Sequence, residues 1–168
     1  MEKAAVTAKM ANVTGQSAKV VSNQLTAIWN NFNKEGDVAY EHYADVLTKL
    51  GAVTASSTDE IAEGLEKFAA VADTVGLSYE YATAALATIT AKTRQSADIV
   101  GTALKTLFAR IEGLKLGETL DDGTTLNKYS EALEAVGVNI KDDAGNLKDM
   151  DNILDEIGAK WENLSKDQ

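Results

Sequence analysis

At 168 residues the chain is long enough to bury a substantial core, and having no cysteine it has no disulfide or thiol chemistry to draw on. Hydrophobic residues make up 45% and charged residues 25%, a globular balance that argues against a disordered chain. The net charge of -10 repels phosphate backbones and disfavours nucleic-acid binding unless basic residues are concentrated on one face.

Proline is absent, where a typical share of roughly 5% would supply about 8. With abundant Ala, Leu, Glu, Lys and Thr, this predicts a helical chain with helical connections. The opening MEKAAVTAKMANV lacks the apolar centre of a secretory signal, and no run reaches the roughly 20 apolar residues that span a bilayer. Without such a signal, the Asn-x-Ser/Thr matches at Asn12 and Asn163 read as chance.

The first strongly periodic stretch is SAKVVSNQLTAIWNNFN, residues 17–33. It puts Val20, Val21, Leu25, Ile28, Trp29 and Phe32 on one half of a helical wheel. Asp37 to Leu50 repeats the pattern with Val38, Tyr43, Val46, Leu47 and Leu50, and Gly51 is the expected stop. Ser57 and Glu60 have capping-box spacing and open the next helix, with apolar stripe Ile61, Leu65, Phe68, Ala72 and Val75 and a stop at Gly76. Ser78 is the expected cap of a helix from Tyr79 to Thr93, and residues 96 to about 115 form another.

A break rich in Gly, Asp and Thr follows at LGETLDDGTT. Leu126 to Val136 reads as a short helix stopped by Gly137. VNIKDDAGNLKDM, with Gly145 at its centre, reads as a small hairpin or a plain loop, the hairpin being favoured. A helix from Asp149 to Leu164 ends the chain. The expected fold is all-α, a bundle of about six to eight helices with short Gly-stopped connections and a small β-hairpin near residues 138–149. It is divided into an N-terminal segment 1–36, a central core 37–117 and a C-terminal segment 118–168, together one compact unit.

The stretch GTALKTLFARIEGLKLG, residues 101–117, asks for closer attention because it carries Lys105, Arg110 and Lys115 on an acidic chain. On a wheel started at Ile99, one half holds Ile99, Ala103, Leu104, Leu107, Phe108, Ile111 and Leu114. The other holds Gly101, Thr102, Thr106, Ala109 and Gly113 together with Lys105. The three cations do not share a face, so neither a phosphate-binding stripe nor a membrane-surface helix fits. Lys115 suits the negative end of its own helix dipole. What remains is a broad apolar half, expected to be core or a partner face, and a back of small residues that lets another backbone come close. The preceding helix is equally poor in charge, so the pair belongs either at the centre of the bundle or against a partner, with the plain core favoured.

No catalytic constellation emerges. His42, the one histidine, has no nucleophile motif beside it and reads as a helical surface residue. The acidic groups Asp121–Asp122, Asp142–Asp143 and Asp149 with Asp151 and Asp155 lack the order of a calcium loop and read as turn and cap residues. No cofactor is expected.

Three stretches carry a resemblance: EHYADVLTKLGAVTASSTDEIAEGLEKFAAVADTVGLSYEYATAALATIT, TRQSADIVGTALKTLFARIEGL and LEAVGVNIKDDAGNLKDMDNILDEIGAKWENLS. From about Val13 to the end, the chain resembles the core region of phage tail tape-measure proteins. That resemblance implies a non-enzymatic, largely helical structural segment of a much longer chain, made in the bacterial cytoplasm and carried in the tail lumen. It implies roles in tail assembly, tail length and DNA passage. The implied partners are tube subunits, tail-assembly chaperones and tail-tip proteins, with self-association also open. Two other readings are kept beside it: a peptidoglycan hydrolase segment using an acidic pair, and a segment that contacts membrane during ejection.

Overall fold

The computed structural model describes residues 2–33, 38–115, 119, 123 and 125–163. Among them are eight α-helices: α1 (Glu2–Thr14), α2 (Ala18–Phe32), α3 (Tyr40–Val53), α4 (Thr58–Thr74), α5 (Tyr79–Thr93), α6 (Ala97–Lys115), α7 (Leu126–Ala135) and α8 (Met150–Lys160). The architecture is an all-α bundle. Most of the expected break after α6 lies outside the described residues, as do the Asp121–Asp122 pair, Asp37 and Leu164.

Local chemistry sets most of the helix ends. The Ser57–Glu60 capping box is formed, with the Ser57 amide donating to Glu60 Oε2 at 2.9 Å. The Ser78 hydroxyl accepts from the Tyr81 amide at 3.2 Å and starts α5. Gly76 and Gly137 take φ of +79° and +77° just past α4 and α7. Beyond them the amides of Leu77 and Val138 donate back to the carbonyls of Ala72 and Leu133, and both of these apolar side chains are buried. These are Schellman ends with their hydrophobic clasps.

Gly51 behaves differently from expectation. Helix α3 runs past it to Val53. A Cβ at Gly51 would lie 2.3 Å from Thr58 Oγ1 and 2.6 Å from the Thr58 amide nitrogen. The glycine gives clearance to the start of α4 and is not a stop. The favoured hairpin is reduced to one antiparallel bridge, Lys141 with Leu147, and no strand forms among the described residues. The turn between them is held by a side chain: Asp142 accepts from the amides of Ala144 at 3.0 Å and Asn146 at 2.8 Å. These bonds hold the Asp142 carboxyl below the usual carboxylate range.

Helix α4 is the centre of the bundle and packs against α2, α3, α5 and α6. Its stripe Ile61, Leu65, Phe68 and Ala72, with Val75 just beyond the helix, is at most 1% exposed. The buried side chains form one cluster that runs from Val6 in α1 to Ile153 in α8. The last segment is anchored where α4 meets α5. The Met150 amide donates to the Val75 carbonyl at 3.1 Å, and the Asp151 carboxylate accepts from the Ser78 amide at 3.1 Å.

Candidate functional site

Helix α6 begins on Ser96, whose hydroxyl accepts from the Ile99 amide at 3.4 Å, with Asp98 in the favourable first turn. At its other end Lys115 Nζ donates to the carbonyl of Thr74 at 3.2 Å. That lysine therefore satisfies the last turn of α4 as well as suiting the dipole of its own helix.

The inward side of α6 is made of Ala97, Val100, Gly101, Leu104, Phe108 and Leu114, all buried. Phe108 stacks on Phe68 of α4, with ring centroids 6.1 Å apart. At Gly101 the two backbones touch: a Cβ there would lie 2.3 Å from the carbonyl oxygen of Gly64. Helices this close gain dispersion along their length, and only glycine leaves the room.

The outward side carries Thr102, Ala103, Thr106 and Ala109, all exposed, with Ile99 at 54% and Leu107 at 50% exposure. The Thr106 hydroxyl donates back to the Thr102 carbonyl at 3.1 Å, so this side chain is turned toward its own helix. The residues singled out on α6 are thus divided. Leu104, Phe108, Leu114, Gly101 and Gly113 are buried and Ile111 is half-buried, while Ile99, Ala103, Leu107, Thr102, Thr106 and Ala109 face out. Arg110 and Lys105 are exposed near this outward strip, and Asp98 pairs with Lys67 of α4 at 2.9 Å. Gly64, the residue that lets α6 come close, was not singled out in the sequence. The signal for it is a glycine in the middle of a helix, where it weakens the helix by about 1 kcal/mol unless space demands it.

A groove of about 580 Å³ lies where α2, α3, α5 and α8 converge, and His42, Tyr79, Glu80, Asp149 and Asp151 are among its walls. His42 Nε2 is 2.5 Å from Glu80 Oε1, and its ring stands edge-on to Tyr43 and Tyr79. Among the described residues no three His, Asp or Glu side chains converge as a metal site, and no helix is long and apolar enough to cross a membrane.

Tyr79 ties this corner together. Its hydroxyl donates to the carbonyl of Tyr43 at 2.5 Å, and burial pushes its phenol well above the ordinary tyrosine value. The folded state therefore keeps this proton more tightly than the unfolded chain. Its contribution is intact below the ordinary tyrosine range and is lost as pH rises above about 10. Burial raises Tyr81 and Tyr129 as well, so the three act in the same direction. Urea midpoints measured from neutral to strongly alkaline pH should fall above that point. Tyr79→Phe should flatten the fall, at a cost of about 1 kcal/mol at neutral pH from the lost hydrogen bond. An unchanged alkaline slope in that variant would show that Tyr79 ionises freely.

The geometry is that of a helical scaffold in which α6 leaves one side uncovered and Asp142 and Asp151 are engaged in a turn and a helix start. The profile of the phage-related minor tail protein family matches residues 1–168. The chain belongs to that family. This minor tail protein is thus a component of a phage tail, expected to work among other tail proteins. No solved structure matches it.

Proposed function

We propose that this minor tail protein is a segment of a tape-measure protein, which lies in the tail lumen, helps to set tail length and accompanies DNA passage. On this reading it acts by contacts with tube subunits, tail-assembly chaperones and tip proteins rather than by catalysis. The observation that carries it is the tail-family match along the whole chain, joined to the three stretches that resemble tape-measure cores. Two of the acids set aside in the sequence are engaged structurally, Asp142 building its turn and Asp151 accepting from the Ser78 amide at the start of α5. The outward strip of α6 is the contact surface this reading assigns, because it is left uncovered and exposes the apolar side chains Ile99 and Leu107.

Tail length tests it. In a phage that carries this chain, in-frame removal of residues 1–168 should shorten the tail seen by electron microscopy. A fully stretched helix of 168 residues spans about 250 Å at about 1.5 Å per residue. A segment that stays a bundle would remove only about 30 Å, the length of its longest helix. A tail of unchanged length overturns the tape-measure reading.

A further inference from the structure

Resting on the reading of α6 as a contact surface, we propose that its partner is an amphipathic helix whose apolar stripe is flanked by carboxylates. Ile99, Ala103, Thr106 and Arg110 follow one another at spacings of four, three and four residues, the repeat by which one helix lies along another. Thr102, Ala103, Thr106 and Ala109 are short, so a second helix can approach closely. Ile99 and Leu107 supply the exposed apolar anchors.

Charge selects the occupant. The chain carries -10 overall. From Ile99 to Ala109 the outward strip has no acid, and Asp98 at its start is already matched by Lys67. Among the described residues neither Lys105 nor Arg110 has an ion-pair partner. Lys105 borders the shallow groove toward α2 that also holds Glu63 and Glu66, so Arg110 contributes the less opposed charge. A helix with basic flanks would be attracted to most of this molecule's acidic surface, whereas one with acidic flanks is repelled from it and meets Arg110 here. The strip thus gives such a partner an acid-free place to dock, and like-charge repulsion over the acidic surfaces adds to the specificity.

The test uses the whole chain and synthetic helices of about 20 residues that share one Leu/Ala stripe and differ only in flanking residues: Glu, Gln or Lys. Binding is read by fluorescence anisotropy at low salt. The Glu-flanked peptide should bind about two- to fivefold more tightly than the Gln-flanked one, and the gap should shrink at high salt. Arg110→Glu should remove the preference, and Leu107→Asp should abolish binding while circular dichroism stays helical. Equal binding of the Glu and Gln peptides, or a preference that survives Arg110→Glu, overturns the acidic partner and leaves the contact surface standing. Failure of all three peptides overturns the contact surface as well. A dimer by sedimentation that Leu107→Asp dissolves would assign the strip to a second copy and overturn the acidic helix.

Discussion

Gly101→Val should lower the unfolding free energy by about 3 kcal/mol or more, enough to remove a large share of a small protein's stability. Two effects oppose each other at this position. Removing a glycine from a helix interior is worth about 1 kcal/mol in the helix's favour. Against that, the new Cβ would sit 2.3 Å from the Gly64 oxygen and 2.9 Å from its carbonyl carbon. Both are backbone atoms held inside α4, so no side chain can rotate away. The helices must part, and Val100, Leu104 and Phe108 lose their seats together. Steric cost wins by a wide margin. Gly158 is the control, because a Cβ there meets nothing within 4 Å. Gly158→Ala should therefore stabilise by about 0.5–1 kcal/mol. Urea unfolding followed by circular dichroism reads both signs. An unshifted midpoint for Gly101→Val would mean that α4 and α6 do not touch there.

Phe68→Ala should cost about 3–5 kcal/mol. The ring is 1% exposed at the centre of α4 and stacks on Phe108 across the same contact. The loss combines transfer of the ring to water with a cavity that the surrounding helices fill only in part. Trp161 gives the contrast, since at 67% exposure its replacement by alanine should shift stability by no more than about 0.5 kcal/mol. Similar losses at the two positions would place the core elsewhere than around α4.

The functional class was legible in the three stretches that resemble tape-measure cores, and the family match agrees at the level of a phage tail protein. The exposed strip of α6 was legible only as a choice. Ile99, Ala103 and Leu107 shared a wheel half with Leu104 and Phe108, and nothing in that half marked which residues would be left in solvent. For Asp142 and Asp151 the reading as turn and cap residues is visible in particular bonds. Asp142 holds its own turn, while Asp151 caps a helix far away along the chain, which no local pattern could indicate.

By itself the sequence determined helices α2 to α8 and most of their ends, while α1, without a clear apolar stripe, was legible only as part of an N-terminal helical segment. The stripe of α4, the Ser57–Glu60 box, the Ser78 cap and the turns at Gly76 and Gly137 all act between residues close along the chain, so their chemistry is complete before any folding partner arrives. The tertiary structure decided the orientation of α6 and the part played by Gly51. A helix with one apolar half and one half of small residues carries too little charge to mark its solvent side, so its periodicity permits more than one rotation. The contact of Gly101 with Gly64 selects one of them, turning Leu104 and Phe108 inward and leaving Ile99 and Leu107 outside. Gly51 looked like a helix stop because glycine serves stops and close approaches alike. Only the position of Thr58 against it separates the two, and that position comes from the packing of one helix on another.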